Sequence, residues 1–155
     1  MNYGNVMRNS ESDDSNFTFS PPASGNEHPT LCFIEDNDDN LTLYEWINSR
    51  YMPEYTFELY TDERFLNQRF NDSMPRPDLI FLDLKMPQIS GGQLLTKLKE
   101  DPEWKHVPVV IFTHSTSPKD MEQCMDAGAD GFFNKDISVH GIKSQLIEIC
   151  EICLK

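Results

Sequence analysis

The sequence predicts a single doubly wound α/β domain, five parallel strands with five helices, on two observations. From Thr30 onward, five short apolar runs alternate with segments of helical period, the signature of a repeating βα unit. Four of those runs are nearly continuous in apolar residues, as strands covered on both faces are. A chain of 155 residues has the size of one domain.

Residues 1–29 come first and do not fit the pattern. They are rich in Asn and Ser, carry Glu11, Asp13, Asp14 and Glu27, and contain Pro21, Pro22 and Pro29, so they are expected to form a disordered tail before a domain over 30–155. Phe17 and Phe19 could form a short docking segment there, but isolated aromatics in a polar tail are more often incidental.

The first strand is read at 31–34, and Leu41, Tyr44, Trp46 and Ile47 give the first helix its apolar face. The second strand, 55–60, alternates more than the others and reads as an edge. After Thr61-Asp62-Glu63, a second helix is expected through Phe65, Leu66, Arg69 and Phe70. The third strand is 79–82, and Gly91-Gly92 opens a third helix through Leu94, Leu95 and Leu98. The fourth strand is 107–112. Its helix starts near Ser117-Pro118, with Ser as cap and Pro in the first turn, and ends near Ala127-Gly128. The fifth strand is 131–134. The last helix follows Ser138 with Ile142, Leu146, Ile149 and Cys153 on one stripe, widened by Ile147, Cys150 and Leu154, to pack on the sheet or on a partner.

Composition narrows the function. Acidic residues outnumber basic ones 26 to 13, a field that repels nucleic-acid phosphates. No apolar run approaches the ~20 residues that span a bilayer, and the N-terminus lacks a basic-then-apolar leader, so a cytoplasmic protein without membrane contact is expected. Cys150 and Cys153 have C-x-x-C spacing, but they fall in the last turns of a helix rather than at its N-terminus, which favours idle thiols over redox or zinc chemistry.

In a doubly wound sheet the working crevice lies beyond the carboxyl ends of the strands. Here those ends are Glu35-Asp36, Asp83, Thr113 and Lys135. Adjacent carboxylates repel one another unless a cation neutralises them, and Mg²⁺ commonly bridges one or two carboxylates to a phosphate. An aspartate beside Mg²⁺ can attack phosphorus, a hydroxyl can bond one phosphoryl oxygen, and a lysine can offset the charge on another. Strand-end Asp and Thr also cap helices, and a lone lysine is commonly just solvated. Co-occurrence at four strand ends is what favours a phosphoryl or metal site.

These residues resemble response-regulator receiver domains. The resemblance rests on Leu31-Cys32-Phe33-Ile34-Glu35-Asp36-Asn37, on Leu79-Ile80-Phe81-Leu82-Asp83-Leu84-Lys85-Met86-Pro87 followed by Gly91, on Val109-Val110-Ile111-Phe112-Thr113, and on residues 127–135. It covers about residues 30–155 and implies a flavodoxin-like sheet of strand order 2-1-3-4-5. It implies that Asp83 accepts a phosphoryl group from a histidine kinase or histidine phosphotransfer protein, and that Glu35, Asp36, Asp83 and the Lys85 carbonyl hold Mg²⁺. Thr113 and Lys135 match the phosphate-contacting pair, and Phe132 the aromatic switch position. Lys85 stands where the family helps set the rate of self-dephosphorylation.

Two positions depart from the family pattern. Asp136 stands where a cis proline is usual after the lysine, and a cis bond before a non-proline residue costs about 3 kcal/mol, which predicts a trans loop. His114 stands where a small residue is usual and is expected to cover part of the site.

The expected function is that of a stand-alone response regulator, since no further domain follows the fifth helix. It would catalyse only its own phosphorylation and dephosphorylation, and signal through a downstream protein target docked on the face of the fourth helix, fifth strand and fifth helix. The apolar stripe of the last helix adds the expectation of a phosphorylation-dependent homodimer. Two alternatives stay open: a binding module that works without phosphorylation, and an Asp-dependent Mg²⁺ phosphatase. The second usually has another aspartate two residues after the nucleophile, where this chain has Lys85.

Overall fold

The computed structural model describes residues 28–154; the tail expected at 1–29, with Phe17 and Phe19, lies outside them except for its last two residues. The elements run β1 (Thr30–Ile34), α1 (Asp38–Tyr51), β2 (Thr56–Tyr60), α2 (Asp62–Arg64), a π-helical turn (Phe65–Arg69), β3 (Leu79–Leu82), α3 (Gly91–Glu100), β4 (Val109–Thr113), α4 (Pro118–Asp126), β5 (Gly131–Asn134) and α5 (Val139–Cys153). The five strands form one parallel sheet in the order β2-β1-β3-β4-β5, so β2 is an edge as its alternation predicts.

The sheet is covered on both faces. Phe33, Phe81, Val110, Phe112 and Phe133 point toward α1 and α5, where Tyr44, Ile47, Ile142, Leu146 and Ile149 complete one core. Ile34, Ile80, Leu82, Ile111 and Phe132 point the other way, against Phe65, Leu94, Leu95, Leu98, Trp104 and Cys124. The α5 stripe is therefore inside: Ile142, Leu146, Ile149 and Cys150 are buried, and Ile152 is the large apolar side chain its C-terminal half leaves exposed. Of the two roles expected for the stripe, packing on the sheet or on a partner, the structure shows the first.

Local chemistry explains the helix starts. Asn37, Ser90, Ser117 and Ser138 each accept a backbone N–H at the head of their helix, and Ser90 with Gln93 forms a reciprocal capping box. The fourth strand begins two residues later than expected, since Pro108 has no N–H to give the sheet, although its carbonyl accepts from Ile80 N at 2.9 Å.

The second helix differs most from the expectation. It makes three α-helical residues and then widens into the π turn, and Arg69, read from the sequence as part of that helix, is fully buried. Its guanidinium donates to Glu58 at 2.9 Å, Asp72 at 2.8 Å and the Pro75 carbonyl at 2.6 Å. Trp104 packs under Arg69 and Arg76 and donates its indole N–H to the Phe70 carbonyl at 2.9 Å. Among the described residues, no helix is long and apolar enough to cross a membrane.

Candidate functional site

Parallel pairing delivers the strand-end residues to one edge. Glu35 follows β1, Asp83 follows β3, Thr113 ends β4 and is paired with Asn134 of β5, and Lys135 comes next. Glu35, Asp36, Asp83, Lys85, Thr113 and His114 line a single cavity of about 310 Å³.

The buried part of the site is an ion pair. Lys135 Nζ donates to Glu35 Oε2 at 2.5 Å and lies 3.8 Å from Asp83 Oδ2, with the Lys135 and Glu35 side chains 1% and 4% exposed. Burial pushes the Glu35 carboxyl above its ordinary value, and the Lys135 charge works against that. Glu35 Oε1 accepts from Asn37 N at 3.2 Å, and Asp83 Oδ1 from Leu84 N at 2.8 Å. The Lys135–Asp136 bond is trans, as the missing proline predicts.

The open part is acidic. Asp36 is exposed, yet its carboxyl is raised by partial desolvation and by the charges of Asp62, Asp38 and Asp83. Lys85 and His114 are exposed on the rim. Among the described residues, no three acidic, His or Cys side chains close into a ready cage for a metal ion, because Glu35 is turned to Lys135. Mg²⁺ does not need one: it binds through one or two carboxylates and keeps several waters, leaving positions for phosphate oxygens. Asp36 and Asp83, hard oxygen donors on an open cavity, fit that requirement.

Thr113 is buried, and its Oγ1 accepts from Ser115 N at 3.2 Å. Asn134 Nδ2 donates to the Ser115 carbonyl, Gln145 Nε2 donates to the Asn134 carbonyl at 2.6 Å, and Gln145 Oε1 accepts from Asp136 N at 2.9 Å. A continuous polar chain thus runs from the Thr113 hydroxyl to α5. Phe132, expected from the resemblance as a switch residue, is packed inward against the α3 and α4 side of the core. Cys150 and Cys153 are free thiols; burial pushes Cys153 up to about 11 and Cys150 higher.

Sequence reasoning missed Asp62 and the Ser115–Asn134–Gln145 chain. Asp62 had a signal: it lies just past the carboxyl end of β2, where the sequence reads only as a helix start. The polar chain had none, since Asn134 and Gln145 are ordinary residues until β5 and α5 are packed.

The fold and the site define a doubly wound α/β protein in which one sheet edge sets an aspartate among an acidic neighbour, a hydroxyl and a buried lysine. The family model described as response regulator receiver domain matches residues 31–147, and the chain belongs to that family. It is 38% identical over 110 residues to the polar-differentiation response regulator DivK of Brucella anthropi, covering 71% of this chain and 86% of that one. Among solved structures, the phosphorylated cyanobacterial phytochrome response regulator RcpA superposes with a TM-score of 0.69 at 25% identity, over 83% of this chain and 95% of the other. The Mn²⁺-bound response regulator Rcp1 has the same fold, with a TM-score of 0.69 at 23% identity over 82% and 95%.

Proposed function

We propose that this protein is a cytoplasmic single-domain response regulator that accepts a phosphoryl group on Asp83 from a sensor histidine kinase or histidine phosphotransfer protein and passes the signal to a downstream protein. The observation that carries this reading is the position of Asp83, on an open cavity with Lys135 Nζ 3.8 Å from its Oδ2 and Thr113 on the same wall. The phosphorylated state of the RcpA relative supports it.

In this reading a carboxylate oxygen of Asp83 forms an O–P bond as the donor's P–N bond breaks, and the electron pair leaves on the imidazole nitrogen, which takes up a proton. Asp36, Asp83 and the Lys85 carbonyl would hold Mg²⁺, with Glu35 behind them. Bound there, Mg²⁺ neutralises charge on the phosphoryl oxygens. Lys135 reorients its ammonium from Glu35 toward the new phosphoryl group, and the Thr113 hydroxyl donates to a second oxygen. Thr113 carries Ser115 with it, and the pull reaches Asn134, Phe132 and α5, changing the face formed by α4, β5 and α5.

Intact mass after incubation with acetyl phosphate, with and without Mg²⁺, tests the reading. A Mg²⁺-dependent phosphoryl adduct that is absent in Asp83→Asn is expected; no adduct on a folded wild-type chain, together with no binding of beryllium fluoride, overturns it.

A further inference from the structure

Asp62 is 1% exposed and, among the described residues, makes no ion pair. Its carboxylate is held by backbone amides alone. Oδ1 accepts from Glu63 N at 2.8 Å, while Oδ2 accepts from Gln88 N at 2.8 Å and Ile89 N at 3.1 Å. A buried carboxylate is costly unless fully hydrogen-bonded, and a residue that only begins a helix needs just the first of these bonds.

The other two bonds cross to the segment that follows Asp83. That segment, 84–90, contains Lys85 and is closed at its base by Gly91 N donating to the Leu84 carbonyl at 2.9 Å. Gly91 has no room for a side chain there: a Cβ would stand 2.3 Å from the Asp83 carbonyl oxygen. Between that base and the exposed Lys85, the Asp62 bonds to Gln88 and Ile89 tie the segment to the body of the protein.

The geometry points to Asp62 as a positioning residue: through Gln88 and Ile89 it fixes the 84–90 segment, and so sets where the Lys85 backbone stands relative to Asp83 and Asp36 for a divalent cation. This rests on the function proposed above. Asp62 does not touch the cation; it acts through the loop, and its charge adds to the negative field already felt by Asp36.

Mg²⁺ alone is the probe, titrated calorimetrically into the full chain as wild type, Asp62→Asn and Glu63→Gln. Asparagine keeps the shape but turns an N–H against one set of backbone donors, whereas Glu63 is exposed and controls for the lost charge. Asp62→Asn is expected to weaken Mg²⁺ binding about fivefold or more while Glu63→Gln stays within about twofold of wild type. A purely structural Asp62 would lower the melting temperature and leave the affinity unchanged, and that result overturns the inference.

If Asp62→Asn does not fold, amide hydrogen exchange on the wild type decides. Coupling is reciprocal, so Mg²⁺ must slow exchange at Gln88 and Ile89. Unchanged exchange there overturns the inference. A wild type that binds no Mg²⁺ removes the proposed metal site and the inference together, whereas binding that is indifferent to Asp62 removes only the inference.

Discussion

Lys135 is bonded to Glu35 and not to Asp83: its Nζ is 2.5 Å from the glutamate and 3.8 Å from the aspartate. A buried pair of this kind holds each partner's charge in place, and removal of one leaves the other uncompensated. Lys135→Ala should therefore lower stability by about 3–5 kcal/mol, and Glu35→Gln in the same chain should restore part of the loss. Chemical denaturation of the two single variants and the double variant measures this; strictly additive effects would show that the pair is not coupled.

Lys85 is exposed and lines the rim of the cavity, two residues beyond Asp83. In the function proposed above, a cation there would meet the phosphoryl group, or the water that removes it, from the solvent side. Lys85→Ala is expected to change the lifetime of the phosphorylated state several-fold while leaving unfolding within about 0.5 kcal/mol of wild type. The decay of the adduct followed by mass gives the answer, and an unchanged rate rejects the role.

Two adjacent glycines at the head of α3 should respond in opposite directions. A Cβ on Gly91 would stand 2.3 Å from the Asp83 carbonyl oxygen and 2.6 Å from Leu84 Cα, both backbone atoms that cannot swing aside. A Cβ on Gly92 meets nothing closer than Ser90 Oγ at 4.0 Å. Gly91→Ala should cost about 1–3 kcal/mol or more, whereas Gly92→Ala should stabilise by about 0.5 kcal/mol. Thermal melting of the two variants checks the sign of each.

The sheet was legible because β1, β3 and β4 are short unbroken apolar runs, and the edge at β2 because Thr56, Glu58 and Tyr60 alternate with Phe57 and Leu59. The gathering of Glu35, Asp36, Asp83, Thr113 and Lys135 at one edge was legible because they lie at strand ends, where position in sequence fixes position in space. Arg69 was not, since a long side chain carrying a charge reads as solvated. Only the packing of Trp104, Glu58 and Asp72 around it makes burial tolerable. The pairing of Lys135 with Glu35 rather than Asp83 was illegible for a similar reason: strand-end spacing brings three groups together without ranking their distances.

The two C-x-x-C thiols give a pH prediction. Their pKa is raised by burial, so at neutral pH each is the protonated, unreactive thiol, and reactivity appears as pH rises toward the folded value. Alkylation of Cys153 should climb roughly tenfold per pH unit up to about 11, and Cys150 should react only through unfolding. Iodoacetamide labelling read by peptide mass tests both, and rapid labelling of either at neutral pH would point instead to a redox pair.

The polar chain from Thr113 to α5 supplies the last prediction. Asn134 is exposed, so its side chain contributes little to the core, yet it joins the Ser115 carbonyl on one side to Gln145 on the other through its backbone. Removing that side chain should cost only about 1 kcal/mol, the net worth of an ordinary hydrogen bond. Its effect on coupling should be larger than its effect on stability, because Ser115 would then move with Thr113 without pulling on β5. With beryllium fluoride and Mg²⁺ as the phosphoryl mimic, the amide signals of Gln145 and its α5 neighbours should shift in the wild type and shift much less in Asn134→Ala, while those of Ser115 shift in both. Equal α5 shifts in the two proteins would assign the transmission to the packing of Phe132 instead.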